Sequence, residues 1–160
     1  MRPAFPALRP AALLPALALL ALAGCSKPKE LYVDHAWVRL PAVSGQPAAA
    51  YFTVHGGAAD ATLIDVSTDV AIRSEMHETM TGNASAGASG MTSMKPMPSV
   101  PIPARSVDRF APASRHVMLF GLDPSVKRGG ALTLTFTFGN GERIQQTAAV
   151  VGAGDPPPKS

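Results

Sequence analysis

The chain has 160 residues, enough for one domain with a core of its own. It contains a single cysteine, which excludes an internal disulfide. The formal net charge is +3, but two of the basic residues lie in the N-terminal segment described next. The rest of the chain is nearly neutral, so we expect no nucleic-acid partner and no strongly anionic partner.

The first 24 residues have the pattern of a secretory signal. Arg2 and Arg9 supply positive charge, and residues 11–21 form an apolar stretch. That stretch is too short to span a membrane as a helix but suits the apolar region of a signal peptide. We therefore predict that residues 1–24 are a signal peptide and take no part in the folded domain.

The segment Leu22-Ala23-Gly24-Cys25 resembles the lipobox of bacterial lipoproteins. The resemblance implies cleavage before Cys25 and attachment of lipid to this residue, with residues 25–30 as a tether to the membrane. The protein would then be anchored by its lipid on the periplasmic side of a bacterial membrane. Ser26 after the cysteine favours the outer membrane. The alternative is an ordinary signal peptide that happens to end at a cysteine.

Residues from 31 onward have the composition of short β-strands, which are rich in β-branched and aromatic side chains. The first half predicts four strands, at 31–40, 49–55, 61–66 and 71–78. Residues 41–47 and 81–90 are rich in turn-forming residues and predict loops. Residues 91–103 are rich in Met and Pro, which predicts an extended segment with few ladder hydrogen bonds.

The last third gives the clearest strand signals. Residues 115–120 predict a strand, and residues 132–138 alternate strictly between apolar side chains and threonine. This alternation indicates one buried face and one solvated face. A tight turn at 139–141 leads to a partner strand at 144–151. We expect the Pro-rich tail at 152–160 to be disordered.

Seven or eight short strands, with no convincing amphipathic helix, favour an all-β fold. The regular spacing of the strands is typical of a Greek-key sandwich or barrel. We therefore predict one β-domain over residues 31–151.

Methionine is the unusual feature of the composition. Apart from Met1 there are six, at positions 76, 80, 91, 94, 97 and 118. Methionine often fills gaps in a core, and we interpret Met76, Met80, Met91 and Met97 in that way. His116 and Met118 are two residues apart on a predicted strand, so their side chains share a face. One strand would thus present an imidazole and a thioether together.

These ligand types favour Cu(I). Thioether sulfur is a soft donor that prefers Cu(I), and imidazole is compatible with it. Zinc is disfavoured because it is bound by thiolate, imidazole and carboxylate. A thiolate site is excluded if the only cysteine carries lipid. A second histidine and a second methionine would have to come from elsewhere, and His77 and Met94 flank one loop.

Several segments resemble the periplasmic copper chaperones of the PCu(A)C type: Tyr51–His55, Met76–Glu78, Met94–Pro96 and His116–Leu122. Exactly 21 residues separate Met94 from His116, as in that family, which selects Met94 over its neighbours. Sixteen residues separate His77 from Met94, where the family has about ten. The extra residues fall in the loop at 81–90, where an insertion costs little closure entropy.

The resemblance implies a cupredoxin-like Greek-key β-sandwich that binds Cu(I) through His77, Met94, His116 and Met118. It also implies delivery of copper to respiratory oxidases, with an oxidase subunit or a Sco-type assembly protein as partner. Such a protein is a chaperone and not an enzyme. A tail rich in His and Met, present in some members, is missing from residues 154–160.

Two alternatives remain open at this point. One is a metal-free structural or interaction lipoprotein with an Ig-like sandwich. The other is a copper enzyme or electron carrier, although no acid–base pair in the sequence supports catalysis. His35 and His55 are interpreted as surface or structural residues, with His55 as the reserve ligand.

Overall fold

The computed structural model describes residues 30–81 and 92–159, and these form ten β-strands. The strands are β1 (Tyr32–Arg39), β2 (Ala48–His55), β3 (Ala61–Ser67), β4 (Arg73–Thr81), β5 (Thr92–Pro96), β6 (Val100–Ile102), β7 (Val107–Phe110), β8 (Arg115–Phe120), β9 (Ala131–Phe138) and β10 (Arg143–Val151). The predicted signal peptide, Cys25 and most of the predicted loop at 81–90 lie outside the described residues.

All seven predicted strands are confirmed, with their ends shifted by a few residues. Three more strands, β5, β6 and β7, lie between residues 92 and 110. The prediction that residues 91–103 make few ladder hydrogen bonds is therefore wrong for β5 and β6. Both strands lie at the ends of the sheet order, where one side of the strand pairs with no other described strand. Proline is tolerated there because its missing N–H need not face a partner strand.

The strands form one continuous sheet in the order β5-β4-β8-β2-β1-β10-β9-β3-β6, and β7 pairs with β2. Most neighbours are antiparallel, but β1 and β10 run parallel, so the N-terminal and C-terminal strands lie side by side at the centre. The sheet curls, and β3 also contacts β4. One apolar face therefore encloses a single core, and the all-β prediction is confirmed.

The core is built from alternate residues of the strands. On β9 the even-numbered positions 132–138 are buried, as the alternation in the sequence predicts. The largest fully buried side chains come from six strands: Val38, Phe52, Val54, Leu63, Val66, Val100, Ile102, Val117, Leu119, Leu134, Phe136 and Phe138. Phe52 packs in a stack with Phe110 and edge-on to Phe136. The alternate residues of each strand project from the opposite, outer face of the sheet.

The C-terminal segment is attached to the sheet at its first residues. The carboxylate of Asp155 accepts hydrogen bonds from the Gly152 N–H and from Arg128, both at 2.7 Å. The Asp155 carbonyl accepts one from Arg39 at 3.0 Å. Residues 152–155 belong to the tail that the sequence predicts to be disordered, but these hydrogen bonds hold them against the sheet. Within the described ranges, no helix is long and apolar enough to cross a membrane.

Candidate metal site

Strand β8 separates its side chains between the core and the outer face of the sheet. Val117 and Leu119 are fully buried in the core. His116 and Met118 therefore lie on the outer face, as their i, i+2 spacing predicts. His116 is nevertheless only 5% exposed, because neighbouring side chains on that face cover it.

The neighbouring strand β4 brings His77 next to His116. The two residues are directly opposite each other in the antiparallel pair, and their ring centroids are 6.0 Å apart. Residues opposite each other in such a pair project from the same face of the sheet. Two histidines that are 39 positions apart in sequence are thus adjacent on the outer face.

The two methionines flank this pair diagonally. Met118 is opposite Glu75, and Met94 on β5 is opposite Thr79, so both share the face of His77. Each lies diagonally from His77, a spacing of roughly 7–8 Å between backbones that long side chains can bridge. Met118 is half-buried, whereas Met94 is 55% exposed on the edge strand. The face therefore holds two imidazoles close together and one thioether on either side.

The longer His77–Met94 spacing does not disturb this arrangement. Strands β4 and β5 stay in register from His77 opposite Pro96 to Thr81 opposite Thr92. The extra residues therefore fall in the sequence between Thr81 and Thr92, outside the paired part of β4 and β5.

The hydrogen bonds fix which ring nitrogen of each histidine is free. His116 Nδ1 lies 3.0 Å from the Ser114 carbonyl oxygen, which can only accept. Nδ1 therefore carries the proton, and the lone pair of a neutral ring is on Nε2. His77 Nε2 lies 3.1 Å from a carboxylate oxygen of Glu75, so there the proton is on Nε2. The Nδ1 atom of His77 is buried and finds no hydrogen-bond partner among the described residues.

An unpartnered buried acceptor beside a second imidazole is the geometry expected of a metal ligand. Ligating histidines usually donate their other ring N–H to a carboxylate or a backbone carbonyl, as both rings do here. Within the described residues, no group of three His, Cys, Asp or Glu side chains is placed to hold a metal. The thioethers of Met94 and Met118 are further possible donors on this face.

Aromatic residues of β1 and β2 border the histidines. The Tyr51 ring lies 6.4 Å from His116 and 4.4 Å from Trp37 by centroids. Burial raises the pKa of the Tyr51 hydroxyl, although the charge of Arg39 opposes this. Tyr51 therefore borders the histidines on the β2 side, with Trp37 behind it, whereas Met94 lies on the edge strand at the β5 side.

The remaining methionines and histidines lie elsewhere. Met76 is buried in the core, in agreement with its predicted role. Met97 is partly buried and packs against the core cluster. Met80 is instead 51% exposed, so the prediction that it fills the core is wrong. It lies near the end of β4, four residues after Met76 on the same face of the strand. Met91 lies outside the described residues.

His35 and His55 form a separate cluster around Asp34. One oxygen of Asp34 lies 2.7 Å from His35 Nδ1 and 3.0 Å from His55 Nε2. The His55 ring also stacks on Tyr32, with centroids 4.1 Å apart. These contacts agree with the structural role predicted for both histidines.

Glu75 is the residue of this face that the sequence analysis missed. Its position two residues before His77 on a predicted strand would have placed it on the same face. The spacing alone could not show that its carboxylate turns toward the ring.

The fold is that of the PCuAC domains. The copper-bound PCuAC domain from PmoF2 superposes with a TM-score of 0.59 at 19% identity, over 79% of this chain and 98% of that one. The Cu(I)-bound form of DR1885 from Deinococcus radiodurans gives 0.53 at 26% identity, over 82% and 83% of the two chains. The predicted cupredoxin-like β-fold is confirmed by these neighbours.

The chain belongs to the LpqE-like family, whose model carries the description "Putative lipoprotein LpqE-like" and matches residues 31–150. One relative is "Putative lipoprotein Lxx21020" from Leifsonia xyli subsp. xyli, which is 33% identical over 109 residues. That alignment covers 68% of this chain and 62% of the relative's length.

Proposed function

We propose that this protein is an extracytoplasmic copper chaperone, and not an enzyme, that binds Cu(I) through His77, Met94, His116 and Met118. The observation that carries the proposal is the pairing of His77 with His116. One ring has a free lone pair at Nδ1 and the other at Nε2, and their centroids are 6.0 Å apart. The copper-bound PCuAC structures of the same fold support it.

The thioethers favour Cu(I) over Cu(II) and over zinc. Soft sulfur stabilises the monovalent ion, and neutral imidazole and thioether bring no negative charge that would hold copper permanently. The exposed Met94 would be replaced first by a ligand from an acceptor protein. The three less exposed ligands, His77 on β4 and His116 and Met118 on β8, would hold the ion until transfer. Such stepwise exchange is what a chaperone requires.

The proposed function also includes a lipid anchor on the protein and delivery of copper to an acceptor. Lipid on Cys25 would hold the domain at the periplasmic side of a bacterial membrane, with residues 26–30 as a tether. Membership of a lipoprotein family supports this anchor. The acceptor would be a copper-containing oxidase subunit or a Sco-type assembly protein, which a membrane-anchored donor can reach at short range.

The test is a competition titration with a Cu(I) chelator on the purified protein. The wild type should bind one Cu(I) per chain. The double variant His116→Asn/Met118→Leu should lose this binding, because it removes one imidazole and one thioether from the same strand.

The matched control carries the same two changes elsewhere, at His35 and Met80. Both side chains are more than half exposed, and neither belongs to the site. Asparagine is also tolerated at the left-handed backbone of His35, where φ is 51°. Cu(I) binding that survives in the His116/Met118 variant would reassign the site. A wild type without stoichiometric binding would favour the metal-free interaction lipoprotein instead.

A further inference from the structure

Among the residues that the structure describes, Glu75 is the one whose carboxylate lies within hydrogen-bond distance of a histidine of the candidate site. It lies two residues before His77 on β4 and directly opposite Met118. One carboxylate oxygen is 3.1 Å from His77 Nε2. The other is paired with the guanidinium of Arg73.

Arg73 is itself held in place by an aromatic ring. Its guanidinium carbon lies 3.8 Å from the centroid of Phe120, which is opposite Arg73 in the β4–β8 pair. A cation over an aromatic face is attracted to it. Phe120, Arg73, Glu75 and His77 therefore form a continuous chain of contacts that limits the orientations of the carboxylate.

The carboxylate determines where the His77 proton resides. A neutral imidazole carries one N–H, and an ionised carboxylate can only accept a hydrogen bond. With Glu75 beside Nε2, the proton stays on Nε2 and the lone pair is on Nδ1. This is the same Nδ1 that is buried without a partner among the described residues. Two independent observations thus point to Nδ1 as the atom available to an ion.

We propose that Glu75 is a positioning residue, which holds His77 in the Nε2–H tautomer and turns Nδ1 toward the copper. This inference rests on the proposed function, in which His77 is a ligand. The bound ion would then be held by Nδ1 of His77 and Nε2 of His116, because the Ser114 carbonyl takes the opposite nitrogen of the second ring. Glu75 itself does not bind the ion.

The test compares Glu75→Ala with Glu78→Ala. Glu78 is a matched control, since it lies on the same strand, is exposed to a similar extent and is also paired with an arginine, Arg115. Its carboxylate is directed to Arg115 and not to the His77 ring, and its side chain belongs to the opposite face of β4. Loss of an outer-shell partner typically weakens metal binding about 10–100-fold, so we expect that loss of Cu(I) affinity in Glu75→Ala. Glu78→Ala should bind like the wild type.

A second readout separates positioning from a general loss of structure. Two-bond ¹⁵N–¹H spectra of the copper-free protein, recorded at alkaline pH, report which ring nitrogen of each histidine carries the proton. In the wild type and in Glu78→Ala, His77 should be protonated at Nε2. In Glu75→Ala both tautomers of His77 should appear, while His116 stays protonated at Nδ1. Should the alanine variant fail to fold, Glu75→Gln serves in its place, because an amide can either accept from Nε2 or donate to it.

Equal Cu(I) affinities for the Glu75 and Glu78 variants would overturn the inference, as would a wild-type His77 protonated at Nδ1. A wild type that binds no Cu(I) would instead contradict the proposed function. In that case the tautomer spectra of the copper-free protein still decide whether Glu75 orients the ring.

Discussion

The histidines of this protein show how neighbouring groups give one residue type different roles. His77 and His116 each use one ring nitrogen for a hydrogen bond, to the Glu75 carboxylate and the Ser114 carbonyl respectively. His35 and His55 instead direct a nitrogen to the same oxygen of Asp34. The first pair lies ring beside ring and is the pair that we propose as copper ligands, whereas the second pair shares one carboxylate.

Asp34 should contribute to stability in a pH-dependent way. Partial burial works against its ionisation, but hydrogen bonds and charges from His35 and His55 outweigh it and lower the Asp34 pKa below the usual 3.8. A lowered pKa means that the folded state favours the ionised form. The stabilisation is therefore present above the ordinary value and is lost as the pH falls through the folded value.

We expect Asp34→Asn to be less stable than the wild type at neutral pH by up to about 1 kcal/mol, since the group is partly exposed. The difference should shrink as the pH falls below the lowered pKa. Urea unfolding at neutral and strongly acidic pH measures both values. The same change at Asp65 on β3 is the control, and a difference for Asp34→Asn that does not depend on pH would contradict this account.

Among the elements, the pairing of β4 with β8 and β5 determines the site. A shift of β4 by one residue would turn His77 into the core and Met76 outward, because successive side chains point to opposite faces. Met76 in the core opposite Val117 prevents this shift. The same packing that stabilises the sheet therefore selects which residues face the candidate metal site.

The residue after β2, Gly56, has no room for a side chain because another backbone segment packs against it. A Cβ atom added at Gly56 would lie 2.2 Å from the Pro103 carbonyl oxygen, which is backbone and cannot turn aside. We expect Gly56→Ala to destabilise the fold by about 1–3 kcal/mol, as overpacking of a buried position does. Gly139→Ala is the control, because the nearest atom there is 3.7 Å away and φ is not in the left-handed region. Equal thermal unfolding temperatures for the two variants would show that the segment at 103–106 moves freely.

At the scale of the whole molecule, the C-terminal segment links distant parts of the sheet. Asp155 connects Arg128 to Arg39, and the Arg39 guanidinium in turn lies 4.9 Å from the centre of the Trp37 ring. This network lies at the centre of the sheet, where β1 runs parallel to β10. The tail therefore contacts β1, the strand whose Trp37 packs against Tyr51 beside the candidate site.

A chain ended after Val151 should lose about 1–2 kcal/mol of stability, because it leaves Arg39 and Arg128 without these hydrogen bonds. A chain ended after Pro156 keeps Asp155 and should match the full-length protein. Guanidinium unfolding of the three proteins gives the comparison. Equal midpoints for all three would mean that the Asp155 contacts add nothing to stability.

The sequence by itself determined the strands that alternate clearly and the composition of the candidate site. Residues 132–138 could be assigned in full because apolar side chains and threonines alternate at a period of two. The i, i+2 spacing of His116 and Met118 likewise defined a shared face. These are local properties, which depend only on the geometry of a single strand.

Only the tertiary structure decided which strands became neighbours. The edge positions that make β5 and β6 possible, despite their prolines, follow from the sheet order and not from local propensity. The same holds for the adjacency of His77 and His116 and for the turn of Glu75 toward His77. Long-range pairing is governed by burial of the whole apolar face, so the two imidazoles became neighbours only when β4 and β8 lay side by side.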